Sequence, residues 1–282
     1  MTKKIAILTD SSSAIYSYPH QFNNLFMIDL PCFLGDEIYT DFTSNGNEKF
    51  FQALEVTNLV PKTSQPSVGE MLLMYEKIRD LGFSDIIVLA ISRELSGTYQ
   101  NAHLAKNIIK GVNVTIVDTL TTASILLELA LVAADMANNN ASIEEILYKI
   151  EEIKESWTYY LTVSDLTALV KNGRLSNAKS FIANIFHIKP VIYFNREGKL
   201  VALQNVRTFK KALRQVAELT LSNVKENSII HLAYAKETLE LEELFQYLKE
   251  KLPNHAIKKF LLPATIVAHV GLGAIGIGLI NL

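Results

Sequence analysis

Three hydroxyl-rich turns carry the residue types that could hold an anion: Thr9 to Ser13, Thr63-Ser64-Gln65-Pro66-Ser67, and Ser92 to Thr98. In open α/β sheets such groups, with the N–H groups of helix N-termini, gather beyond the carboxyl ends of the strands and suit a negatively charged head group. The same residues also make helix caps and Asx or ST turns, so each one alone reads as local structure. His269 lies in Ile266-Val267-Ala268-His269-Val270, an apolar setting in which a histidine is more often packed than reactive. Ser96 with His269 offers the nucleophile and base of a serine-type acyl hydrolase, although the sequence names no acid to orient the histidine.

Other motifs carry less. Gly271-Leu272-Gly273-Ala274-Ile275-Gly276 spells G-x-G-x-x-G, yet it sits near the end of the chain rather than after a first strand, as a dinucleotide site requires. These glycines read better as places where the backbone passes close to another element or a ligand. Nucleophile elbows, phosphate-loop lysines and H-E-x-x-H helices are all missing from the sequence, so no catalytic residue is assigned. Arg174, in Asn172-Gly173-Arg174-Leu175-Ser176, and Arg207, in Arg207-Thr208-Phe209-Lys210-Lys211, are basic points in polar turns. They read either as solvated charge or as contacts for an acidic or phosphorylated partner.

The bulk properties narrow the classes. A net charge of -2 with no basic stripe argues against nucleic acid as a partner. One cysteine, Cys32, allows no internal disulfide and fits a reducing cytoplasm, while scattered Cys and His exclude a structural zinc cluster. The apolar stretch from Ile125 to Ala134 is broken by Glu128 and is too short to span a bilayer, and Met1 to Asp10 lacks a signal-peptide core. Cytoplasmic location is the expectation.

Elements must bring the distant turns together. Ile5 to Thr9, Asp85 to Ile91 and Val114 to Asp118 read as buried strands, each opening into a polar loop. Helices are predicted at Glu48–Leu54, at Val68–Leu81 behind a Ser67/Glu70 capping box, from the Ser92–Gly97 loop to about Lys110, at Thr119–Asn138 and at Ser142–Glu155. This alternation implies right-handed crossovers and a parallel sheet. Beyond Trp157 the pattern changes to a hairpin around Asn195-Arg196-Glu197-Gly198, helices at Lys210–Asn223 and Leu239–Lys251, and strands at Ser228–Ala233 and Ile257–Leu262. The expected fold class is α/β with two domains: a parallel-sheet domain over 1–155 and an α+β domain over 156–282.

Taken in order, Thr9-Asp10-Ser11-Ser12-Ser13, Thr63-Ser64-Gln65-Pro66-Ser67, Leu95-Ser96-Gly97-Thr98-Tyr99-Gln100 and His269-Val270-Gly271-Leu272-Gly273-Ala274 resemble the DegV family. Gly173-Arg174-Leu175-Ser176, Ile188-Lys189-Pro190 and Arg207-Thr208 extend the resemblance across the chain. It implies a two-domain protein that binds a long-chain fatty acid, with Thr63 and Ser96 at the carboxylate and His269 in the same network. Ser12, Gly97 and Thr98 are expected beside them, with residues 156–282 completing the lipid site. It further implies a carrier that presents the acid to an ATP-using fatty acid kinase, with Arg174 and Arg207 serving that partner and transient contact with a membrane surface allowed for. No cofactor is expected beyond the bound acid. Asn172 stands where the family usually has glycine, Leu272 where it has proline, and Thr119 to Leu131 lacks the family's glycines.

Burying an acyl chain at ~0.8 kcal/mol per methylene gives gross stabilisation on the order of 10 kcal/mol, so the tail needs no special chemistry. The carboxylate does, because an ion out of water is unfavourable unless donors reach its oxygens.

Overall fold

The computed structural model describes residues 4–40, 42–180 and 188–281. Four strands, in the order Leu25–Ile28, Ile5–Asp10, Asp85–Ala90 and Asn113–Asp118, form a sheet in which every neighbouring pair is parallel. The two central strands are buried at every position, which is why they read as unbroken apolar runs rather than as alternating patterns. Successive side chains leave opposite faces. Ala6, Leu8, Ile86 and Val88 meet Met71, Tyr75 and Ala102 of the helices Val68–Asp80 and Thr98–Lys106. Ile5, Ile7, Ile87 and Leu89 belong instead to the core with Ile125 and Leu129 of the helix Ala123–Asn138.

A second sheet of six strands runs in the order Leu200–Val206, Lys189–Phe194, Trp157–Thr162, Ile275–Asn281, Ser228–Tyr234, Ile257–Leu261. Its neighbours are antiparallel except the last pair. Helices Phe209–Leu221 and Leu239–Lys251 cover one face through Ala212, Val216, Leu241 and Leu248. Ile192, Ala233 and Ile280, by contrast, share the large core with Ile5, Leu129 and Ile150, so the parallel-sheet half and the second sheet are packed on common apolar ground. A small antiparallel sheet of Glu37–Tyr39, Cys32–Leu34 and Lys62–Thr63 completes the strands described.

The capping box at Ser67 and Glu70 forms as the sequence predicts, and the helix behind it ends before Gly82, whose φ is +89°. The helix expected from Thr119 starts later, at Ala123. Leu120 and Ala123 take φ of +57° and +54°, and the Thr119 hydroxyl donates to the carbonyl of Ala90 at 2.8 Å, so Thr119 to Thr122 form a loop at the strand end. The helix after the Ser92–Gly97 loop stops at Lys106, short of Lys110. Among the described residues, no helix is long and apolar enough to cross a membrane.

The glycine-rich tail follows the helix Ala264–Val270 and enters the strand Ile275–Asn281 inside the six-stranded sheet. Helix then strand is the reverse of the order a dinucleotide fingerprint needs. A Cβ on Gly276 would stand 2.8 Å from Leu161 Cβ, and one on Gly278 would stand 3.0 Å from the Tyr159 ring. Close approach to a neighbouring strand, not a phosphate, accounts for these two glycines.

Candidate functional site

Thr63 ends the short strand Lys62–Thr63, where it pairs with Cys32, and the next residue is tied down by the bond from Ser64 N–H to Pro31 O at 3.1 Å. Ser96 lies in the loop beyond the strand Asp85–Ala90. Its hydroxyl accepts from Thr98 N–H at 3.3 Å and is 2.9 Å from Thr98 Oγ1. Thus Ser96 makes an ST turn just before the helix Thr98–Lys106, whose N-cap is Gly97, and also faces the cavity described below.

His269 occupies the last turn of the helix Ala264–Val270, which ends at Gly271 with φ of +75°. Its Nε2 is 2.8 Å from Thr63 Oγ1, and its Nδ1 is 3.2 Å from Asn172 Nδ2. Asn172 reaches it from a helix end of defined chemistry. The helix Thr167–Lys171 terminates with Gly173 at φ of +69°, while Gly173 N–H donates to Val170 O and Arg174 N–H to Leu169 O. That pair of bonds is a Schellman motif, and only a glycine takes its left-handed position without strain. It turns Arg174 back, so that the guanidinium donates through Nε to Leu95 O at 3.2 Å and through Nη1 to Asn172 O.

These groups share one cavity. Thr63, Ser96, Arg174 and His269 line it together with Thr122 and Thr265, and the rest of the wall is apolar: Leu30, Ile91, Leu95, Tyr159, Leu161, Phe194, Leu200, Leu262, Ile266 and Val270 among others. The empty space between these residues is about 720 Å³, including the part open to solvent. It lies past the carboxyl ends of the parallel strands, near where chain order switches between Ile5–Asp10 and Asp85–Ala90. The second sheet supplies the opposite wall through Tyr159, Leu161, Phe194 and Ile275.

Charge in this wall is arranged for an anion. Burial, and secondarily the Arg174 guanidinium, pull the His269 imidazole down to about 4, so the ring is neutral at neutral pH. Arg174, whose own acidity is increased by burial, remains the cation of the wall. Asp10, at the end of the first strand, is buried and is not among the lining residues: it accepts from Ser12 N–H, Ser12 Oγ and Ile91 N–H.

The predicted site residues therefore separate into groups. Thr63, Ser96 and His269 come together in the cavity wall. Ser12 is fully buried in a turn capped by Asp10, to whose carboxylate its N–H and hydroxyl donate, and it is not among the lining residues. Gly97 and Thr98 stand behind Ser96 rather than in the wall, with Gly97 packed so closely that a Cβ there would meet Gln65 Nε2 at 2.7 Å. Arg174 is in the wall, whereas Arg207 is exposed just past the strand Leu200–Val206. No hydrogen bond joins Ser96 to His269 among the described residues; both ring nitrogens are engaged by Thr63 and Asn172, which leaves the nucleophile-and-base pair without its linking bond.

Sequence reasoning marked Asn172 only as a departure from the family's usual glycine and gave no role to it, to Thr122 or to Thr265. Thr265 Oγ1 bonds Ser11 Oγ at 3.1 Å, and Thr122 Oγ1 is buried without a partner. Nothing in their spacing sets them apart from ordinary caps.

The family model described as "Uncharacterised protein, DegV family" matches residues 4–282. A DegV domain-containing protein of Listeria monocytogenes is 29% identical over 280 residues, covering 98% of each chain. Among solved structures, the fatty-acid-binding DegV family protein of Streptococcus agalactiae superposes with a TM-score of 0.87 at 26% identity, covering 99% of both chains. DegV of Bacillus subtilis, described as a fatty acid binding protein, gives 0.84 at 26% identity, covering 99% of this chain and 100% of its own. With fold and sequence matching over essentially its whole length, the chain belongs to the DegV family.

Proposed function

We propose that this protein binds one long-chain fatty acid in the cavity, carboxylate toward Thr63 and Ser96 and acyl chain along the apolar wall. The observation that carries the reading is the make-up of that wall, in which the hydroxyls of Thr63, Ser96, Thr122 and Thr265, the His269 imidazole and the Arg174 guanidinium stand among residues that are mostly aliphatic or aromatic. Relatives of the same fold described as fatty-acid-binding support it. A carboxylate accepts hydrogen bonds and attracts Arg174, and the tail gains from leaving water. Delipidated protein is expected to take up palmitic acid with high affinity, and Thr63→Val to weaken it about tenfold or more through the lost donor. Wild-type protein without measurable affinity would refute the reading.

The second part of the proposal is presentation of the acid to an ATP-using kinase that forms the acyl phosphate. It is supported by the family resemblance and by a head-group site whose serine and histidine are already held in other hydrogen bonds. Arg207, exposed and outside the cavity, is assigned to the partner. Arg207→Ala should leave palmitate binding unchanged and reduce acyl phosphate formation when a kinase of this class is added. Undiminished formation would remove that assignment.

A further inference from the structure

Asn172 Nδ2 lies 3.0 Å from the carbonyl oxygen of Pro61 and 3.2 Å from His269 Nδ1. The first contact fixes the amide's orientation, because a carbonyl can only accept and an amide oxygen in that place would face it oxygen to oxygen. An NH2 group has two hydrogens, one for each neighbour, and no lone pair to offer. His269 Nδ1 must then accept. In a neutral imidazole the ring proton consequently sits on Nε2, which is 2.8 Å from Thr63 Oγ1. Nε2–H donates to the hydroxyl oxygen, and the hydroxyl's own hydrogen is left free to turn into the cavity that Thr63 lines. With the opposite tautomer Thr63 would spend its hydrogen on Nε2 and present only lone pairs, which a carboxylate repels.

We propose that Asn172 is a positioning residue which, from the Pro61 carbonyl through His269, makes Thr63 a hydrogen-bond donor toward an anionic head group. The relay is short, and each link from the Pro61 carbonyl to the Thr63 oxygen is set by the one before it. Its backbone is equally fixed: Asn172 closes the helix Thr167–Lys171, and its carbonyl accepts from Arg174, so the amide and the guanidinium of the wall are set by one turn. The imidazole acts on the ligand through Thr63 rather than by direct donation. The choice of a fatty acid as the anion rests on the function proposed above; the wiring does not.

The test uses full-length delipidated protein labelled with nitrogen-15 in histidine. In the wild type, NMR should find the His269 proton on Nε2 and Nδ1 unprotonated. Asn172→Asp replaces the donor facing Nδ1 by an acceptor and should move the proton to Nδ1. The negative charge of that variant also repels a carboxylate directly, so affinity for palmitic acid is compared in two backgrounds. Asn172→Asp should cost about tenfold more with Thr63 present than in Thr63→Val protein, since only the first can lose the relayed donor. Equal costs in the two backgrounds, or an Nδ1–H tautomer in the wild type, would overturn the proposal, and the second result requires no variant to fold. Wild-type protein that shows Nε2–H yet binds no palmitate would uphold the wiring and refute the fatty-acid reading.

Discussion

At the scale of single residues, the site turns on groups whose ordinary chemistry is altered by where they sit. His269 is held at about 4 against a usual 6.5 by burial and by Arg174. Since the folded value is below the unfolded one, the unfolded chain takes the proton first. The contribution of neutral His269 to stability is therefore complete above pH 6.5 and is lost as pH falls toward 4. Asp10 runs the other way, because burial pushes its carboxyl from 3.8 up to about 6, against the hydrogen bonds from Ser12 and Ile91 that pull it down. Its contribution is complete below pH 3.8 and is lost as pH rises through 6. Comparing wild type with His269→Gln isolates the histidine: the difference between their urea midpoints should shift against the wild type as pH is lowered from 7 to 4. A difference that stays constant over that range would contradict a depressed His269. The residue types at the site were legible in the sequence, but Asn172 was not, because its role depends on Pro61 and His269, far from it in the chain and adjacent only after folding.

At the scale of elements, what could be read in advance was what local sequence dictates. Strands Ile5–Asp10 and Asp85–Ala90 announce themselves as apolar runs, and Ser67 with Glu70 announces a helix start. The loop Thr119–Thr122 was read as helix because nothing in Thr-Leu-Thr-Thr signals that Leu120 and Ala123 take left-handed conformations. The small strands Cys32–Leu34 and Lys62–Thr63 were missed for a related reason: a three-residue and a two-residue strand have no period to detect. The tail glycines gave their meaning only as close approach, and the strand Ile275–Asn281 shows what they approach. In that strand Gly276 faces Leu161 Cβ and the Tyr160 carbonyl, where an added Cβ would lie at 2.8 and 3.1 Å. Gly276→Ala should therefore destabilise the protein by about 1–3 kcal/mol through overpacking, and weaken palmitate binding, because both Gly276 and Leu161 line the cavity. Thermal unfolding and a binding titration check the two effects, and an unaltered melting temperature would mean that the strands separate more easily than this packing allows.

At the scale of the whole molecule, the cavity exists because two sheets of different construction share one core. Loops at the ends of the parallel strands contribute Ser96 and Thr122, the small antiparallel sheet contributes Thr63, and the mixed sheet contributes an aromatic and aliphatic wall. Each alone is part of a site. The change of pattern near Trp157 was legible in the sequence, and the first strand of the mixed sheet, Trp157–Thr162, begins there; the packing of the two sheets on one core was not legible, since no local signal states which faces will meet. An acid bound across this junction should gain affinity by about fourfold for each methylene added, until the apolar wall is filled. That gradient and its limit make the most direct test: delipidated protein titrated with saturated acids of increasing length, side by side with the same series on Thr63→Val. The account predicts a stepwise rise with length followed by a plateau, and a loss in the variant that is the same at every length, as expected of separate tail and head-group sites. Affinity independent of chain length, or a variant indistinguishable from wild type, would contradict it.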